Sequence, residues 1–274
     1  MIAEILLTVY FWLVTAISTI ITSIMCLIIY PFVCERIFCR TYERIIGTLI
    51  LKGMTIPGFW TFTVRGKING QCVIVANHAS FIDTLLLSQV GITKKFIMSK
   101  KYAKIPFFGW LCMAAGHIPI AKDEPETIIN AVANAAKAMK DGSSFVIYPE
   151  GKRSDNPYEL LPFKSGAFRL AKMMDIPIVP IVINGTGIVM PVGSLCRTGD
   201  LEIIIGNPIT DGDIYETMFE SKLFIQRELN LVKQQIDNKN NEIKKLEKLT
   251  GEIYTLINKI ILQTTEELTN NGED

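Results

Sequence analysis

The chain has two histidines, His78 and His117, so candidates for acid/base chemistry near neutral pH are few. The informative one lies in Val73-Ile74-Val75-Ala76-Asn77-His78-Ala79-Ser80-Phe81-Ile82-Asp83, where an apolar run ends in an Asn-His pair and an acid follows five residues after the histidine. On one straight helix that spacing sets the two side chains about 140° apart, because each residue turns about 100°. They meet only if the chain turns between them. A strand-to-helix turn with His78 at its tip and Asp83 in the first helical turn lets the carboxylate hold one ring nitrogen and frees the other as a base.

A second segment, Phe145-Val146-Ile147-Tyr148-Pro149-Glu150-Gly151-Lys152-Arg153-Ser154, also leaves an apolar run for a turn and sets one carboxylate and two cations side by side. Gly151 permits a tight turn, and Arg153 has the fork that clamps a phosphate bidentately. Further on, Phe163-Lys164-Ser165-Gly166 puts another cation near a predicted helix start, where unpaired backbone N–H groups also favour anions. His117 sits in a strand-like stretch with no ligand partner beside it and reads as structural. Cys72 and Cys112 have no cationic neighbour to activate them and read as inert buried thiols.

The elements that must carry these residues are set by length and patterning. In 274 residues, 49% are hydrophobic, 20% charged, and the mean hydropathy is +0.30, which excludes a disordered chain and fits one domain with apolar appendages. Lys and Arg total 28 against 27 Asp and Glu, so nothing in the net charge points to nucleic acid as a partner. The six cysteines are scattered and form neither a disulfide framework nor a metal cluster. A G-x-S-x-G nucleophile elbow and a nucleotide-type glycine loop are both absent.

Short β-branched runs at 72–76, 95–98, 116–120, 144–148, 178–183 and 201–205 read as buried strands, with helices predicted at 128–139 and 165–174. The fold class is therefore α/β: a largely parallel sheet flanked by helices, with an N-terminal membrane helix element and a C-terminal helical extension. The chain thus has three parts: residues 1–60, 61–213 and 214–274.

Ile5 to Val33 carries no Asp, Glu, Lys or Arg and is long enough to cross a bilayer core of roughly 30 Å. No basic segment precedes it, so it reads as a retained membrane segment rather than a cleaved signal. Arg36, Arg40, Arg44 and Lys52 come next, placing the domain on the cytoplasmic side. Residues 45–60 form a second apolar set that suits either an interfacial helix, with Trp60 and Phe62 at headgroup depth, or a core helix. Beyond residue 214, Leu229, Val232, Ile236, Ile243, Leu246, Ile253, Ile257 and Ile260 fall on heptad a and d positions, with Lys239 and Thr250 as exceptions. That pattern predicts a helical hairpin or short coiled coil, hence a helical partner, or else a helix packed on its own domain.

Taken together, Asn77-His78-x4-Asp83 and Tyr148-Pro149-Glu150-Gly151-Lys152-Arg153-Ser154 resemble the signature of the glycerolipid acyltransferase superfamily, nearest to bacterial 1-acyl-sn-glycerol-3-phosphate acyltransferases. Ile105-Pro106-Phe107-Phe108-Gly109-Trp110 with Gly116-x-Ile118-x-Ile120-x-Lys122 after it resembles the family's second motif, and Ile178-Val179-Pro180-Ile181 its fourth. The resemblance implies transfer of a fatty acyl group from acyl-CoA or acyl-carrier protein to the sn-2 hydroxyl of lysophosphatidic acid at a membrane, with no cofactor or metal. It implies that His78 is the general base and Asp83 its orienting partner. Asn77, Glu150, Gly151, Lys152, Arg153, Ser154, Lys122 and Lys164 would then surround the acceptor. A lysine for the oxyanion aligns with either Ser99 or Lys100, and Lys100 is the cation available there. The chain departs from the family pattern at Lys122, Lys152 and Tyr148, where Arg, Thr and Phe are common. Another acceptor, such as glycerol 3-phosphate, keeps the same chemistry; a non-catalytic lipid-binding scaffold is the rival of another class.

Overall fold

A computed structural model describes residues 1–121, 133–137 and 139–270. The chain divides into two compact units, Met1–Leu229 and Asn230–Asp274. The first unit is built on seven strands: β1 (Trp60–Arg65), β2 (Val73–Ala76), β3 (Lys94–Ser99), β4 (Ile118–Ile120), β5 (Ser144–Ile147), β6 (Ile178–Asn184) and β7 (Gly199–Ile205). They form one sheet in the order β1-β7-β6-β2-β5-β3-β4.

Every neighbouring pair is parallel except β6 and β7, so β6, β2, β5, β3 and β4 share one direction and β1 and β7 run against them. The strands that share this direction are largely apolar because their faces are covered, and all four residues of β2 are buried, although β3 opens on the buried Lys94 and Lys95. Their carboxyl ends therefore open on the same edge of the sheet. In open α/β sheets this is the edge where crossover loops leave room for ligands.

The helices that frame the sheet and its loops are α1 (Ile2–Ile29), α2 (Glu35–Thr55), α3 (Asp83–Leu87), α4 (Lys100–Ala103), α5 (Phe108–Ala114), α6 (Gly166–Met174) and α7 (Thr186–Val189), and α8 (Ile214–Asn270) ends the chain's described part. Of the core reading and the interfacial reading for residues 45–60, the core reading holds. Helix α2 buries Phe38, Tyr42, Ile46, Ile50 and Met54 along one face. Trp60 is not at headgroup depth. It opens β1, is 1% exposed, donates its indole N–H to the Arg197 carbonyl at 3.0 Å and lies against Phe11 at 5.5 Å between ring centroids.

Helix α1 is the only segment among the described residues long and apolar enough to cross a membrane. It is two-faced: Leu7, Phe11, Thr22 and Cys26 are buried on the unit, while Leu6, Leu13, Ile17, Ile24 and Leu27 face outward. The buried side is tied down near its N-terminal end, with the Tyr10 hydroxyl donating to Gly53 O (2.9 Å) and Thr8 Oγ1 accepting from Cys196 N–H (2.8 Å).

The strand expected at 116–120 is shorter, because Gly116 at φ +73° closes α5 before β4 begins. Of the helix expected at 128–139, residues 133–137 are helical, Met139–Asp141 forms a 3₁₀ turn, and the rest lies outside the described residues, as does Lys122. The C-terminal hairpin does not occur: α8 is one continuous helix, which Gly251 lowers in propensity but does not break.

Candidate active site

The chain leaves β2 at Ala76 and turns into α3 at Asp83, so the five-residue interval is a turn. Asp83, fully buried, opens the helix. Its Oδ2 accepts three N–H groups: His78 Nδ1 at 2.7 Å, Ala79 N at 2.9 Å and Ser80 N at 2.9 Å. An ionised carboxylate only accepts, so Nδ1 carries the ring proton and Nε2 is left as the basic nitrogen. The His78 side chain is one-fifth exposed, so that nitrogen belongs to an accessible group.

Tyr148, the first residue after β5, stacks on the imidazole at 4.0 Å with 14° between the rings, and its hydroxyl lies 3.3 Å from Thr84 Oγ1. Burial, then the nearby Asp83 charge, raise the phenol well above its ordinary range, so it stays protonated. Sequence reasoning registered Tyr148 only as a departure from a family pattern; an aromatic residue leaving the strand adjacent to β2 was the available signal.

Glu150 joins the two motifs. Its Oε1 accepts the His78 N–H and its Oε2 the Leu161 N–H, each at 2.9 Å, and Ser154 N–H returns a bond to His78 O at 2.7 Å. Burial raises the Glu150 carboxyl, opposed by the Leu161 and His78 amides. Both Glu150 oxygens are thereby committed to backbone. Asn77 is similarly committed, donating to Ile183 O and accepting Ile183 N–H at 2.8 Å each, which clamps β2 to β6. Ser154 Oγ donates within its own loop, to Asn156 O and Glu159 O. Three residues expected around a substrate thus hold the frame instead.

The cations expected there remain available. Lys152 and Lys164 are exposed and Arg153 is half-buried. Gly151 has φ +69°, and a Cβ on it would come within 3.0 Å of Lys164 Nζ, so the lysine lies directly over this turn. Lys100 stands exposed at the start of α4, on the same sheet edge but two strands from β2, outside the His78–Glu150 cluster. The arrangement is a general base held by a buried carboxylate, beside a turn that presents cations to an anionic group.

A second titratable cluster lies at the start of β3. Cys39, Glu43 and His117 bring their ligand-type atoms within 4.8 Å of one another. Metal ligation through His117 Nε2 would need Nδ1 as a donor, but Nδ1 accepts Phe96 N–H at 3.4 Å, and the buried Lys94 ammonium already sits 3.3 Å from Glu43. It is a charge network joining α2 to β3, with Lys95 tied to Glu35 (2.6 Å) and Asp141 (3.0 Å). Buried lysines opening a strand were not read from the sequence, and no sequence signal links them to partners so far along the chain. Burial likewise raises the Cys72 and Cys112 thiols to about 11, which keeps them unreactive.

Burial lowers His117 to about 3 and raises Glu43 to about 7. For His117 the unfolded state binds the proton more readily, so this group removes stability as pH falls below about 6.5; for Glu43 the folded state binds it more readily, so this group adds stability as pH falls from about 7 to 4.5. The two effects oppose each other between pH 6.5 and 5. Glu43→Gln should therefore make the unfolding free energy from urea denaturation fall over that window relative to the parent chain, by about 2 kcal/mol, while His117→Gln should make it rise by a similar amount.

A sequence model of the family described as Acyltransferase matches residues 61–184. A chloroplastic 1-acyl-sn-glycerol-3-phosphate acyltransferase of Brassica napus is 33% identical over 232 residues, covering 81% of this chain and 66% of that protein. A protein of the same description from Arabidopsis thaliana is 31% identical over 211 residues, 73% of this chain and 58% of its own. The chain spans roughly half to two thirds of the length of these and a Chlamydomonas reinhardtii relative. The crystal structure of the 1-acyl-sn-glycerophosphate acyltransferase PlsC from Thermotoga maritima superposes with a TM-score of 0.73 at 22% identity, over 85% of this chain and 97% of that one.

Proposed function

The chain belongs to the glycerolipid acyltransferase family, and on that premise we propose that it transfers a fatty acyl group from acyl-CoA or acyl-carrier protein to the sn-2 hydroxyl of 1-acyl-sn-glycerol 3-phosphate, giving phosphatidic acid. The observation that carries this reading is the 2.7 Å bond between His78 Nδ1 and Asp83, which leaves Nε2 as the proton acceptor next to a cationic turn.

His78 Nε2 removes the acceptor's hydroxyl proton as the oxygen attacks the thioester carbonyl. The tetrahedral intermediate then collapses, expelling the thiolate, which takes the proton from the His78 imidazolium and so restores the neutral base. Asp83 fixes the ring tautomer and offsets the charge that develops on the imidazolium. Thiolate is a good leaving group, so deprotonation and positioning are the main tasks and no acyl-enzyme is required.

Arg153 is the best candidate for the acceptor's phosphate, helped by Lys152 and Lys164 from either side of Gly151. Arg153→Ala should raise the KM for lysophosphatidic acid about 10- to 100-fold, the range of one charge-assisted hydrogen bond, and leave the thioester KM within threefold. Equal rises in both would remove Arg153 from the phosphate site. Supporting the membrane setting, α1 presents its outward apolar face while its inner face stays on the domain. That suits a helix lying in one leaflet of the cytoplasmic face, where acceptor and product reside.

A further inference from the structure

The second unit carries an apolar surface that the acyl-transfer reading does not use. Within α8, Ile243, Leu246, Leu249, Ile253, Tyr254, Leu256 and Ile257 are each 48–67% exposed. At about 100° per residue they cover an arc of about 160°, from Leu256 through Ile253 and Leu246 to Tyr254, in which the one polar residue of the segment is Thr250, whose hydroxyl donates to Leu246 O at 2.8 Å.

A two-stranded coiled coil buries a narrower a/d seam and would leave Leu249, Tyr254 and Leu256 outside it. In the heptad register that places Ile243 and Ile257 at a, Glu242 and Glu247 take g and e positions that face each other, like charge to like, in a parallel pair. The polar side, by contrast, is basic: residues 243–259 hold Lys244, Lys245, Lys248 and Lys259 against Glu247 and Glu252. Glu252 is engaged by Lys248 at 3.8 Å. Lys245 borders the arc beside Leu256, and Tyr254 closes its other edge, the positions at which an ammonium and a phenol reach headgroup depth.

We propose that the segment Ile243–Lys259 is an amphipathic membrane-surface helix that docks on anionic lipid, with its wide apolar arc in the acyl boundary and its lysines among the headgroups. This docking does not depend on the acyl-transfer reading.

The test uses the full chain with Cys34→Ser, reconstituted in vesicles and spin-labelled at Ile253→Cys on the arc or Thr255→Cys on the opposite side. Accessibility to oxygen is compared with accessibility to a water-soluble nickel chelate. In phosphatidylcholine containing phosphatidylglycerol, the oxygen-to-nickel ratio at position 253 should exceed that at 255 about tenfold, and Lys244→Glu with Lys248→Glu should abolish the difference. Equal, water-like ratios at both positions in the anionic vesicles would overturn the proposal. So would close label-to-label distances that depend on protein concentration, which would make a second copy the occupant. Neither readout involves acyl transfer, so an inactive protein with a lipid-buried label at 253 keeps this inference and loses the other.

Discussion

His78→Ala lowers kcat for acyl transfer by at least about 10³-fold, within the range that a positioned general base contributes. The change removes the ring that Asp83 holds at 2.7 Å and Tyr148 covers at 4.0 Å, and with it the nitrogen that accepts the hydroxyl proton in this account. The surrounding frame does not depend on the imidazole. His78 N–H still meets Glu150, His78 O still accepts from Ser154, and Asp83 keeps the Ala79 and Ser80 amides. The variant should therefore fold, remain membrane-associated and bind both substrates with KM values within a few fold. Activity near that of the parent chain would remove His78 from the chemistry.

Asp83→Asn costs about 10²- to 10³-fold in kcat, with KM for both substrates nearly unchanged. An asparagine oxygen can still accept from Ala79 and Ser80, but it no longer brings a negative charge to the imidazolium. If the amide turns instead, its NH2 meets those two N–H groups and favours the wrong tautomer of His78. Asp83→Ala removes the turn's hydrogen bonds as well and should also lower stability, by about 2–3 kcal/mol for the buried amides left unpaired. Loss of stability without a kcat effect in Asp83→Asn would confine Asp83 to a structural role.

Much of this site was legible before the fold was seen, for physical reasons. Continuous apolar runs such as Val73–Ala76 and Ile178–Ile183 can only be buried strands or buried helices, and their brevity decides for strands. The five-residue gap between His78 and Asp83 demanded a turn, and the turn is there. What escaped depends on distant partners. Trp60–Arg65 alternates apolar and polar residues as a strand should, but its tryptophan next to an apolar stretch also suits a membrane interface, and only pairing with β7 separates the two. Glu150 and Asn77 are polar residues beside the site, which in sequence looks like substrate contact. Their atoms turn out to be spent on the backbone of His78, Leu161 and Ile183. Lys94 and Lys95 look solvent-exposed until Glu43, Glu35 and Asp141 arrive from other elements.

The purified protein in detergent, given oleoyl-CoA with lysophosphatidic acid, glycerol 3-phosphate or lysophosphatidylcholine, puts the central claim most directly at risk, with free thiol and lipid product followed together. Thiol release that requires lysophosphatidic acid, matched by phosphatidic acid and lost in His78→Ala, is the predicted result. Release supported equally well without lysophosphatidic acid, or no release from either oleoyl-CoA or an acyl-carrier-protein thioester, would contradict it.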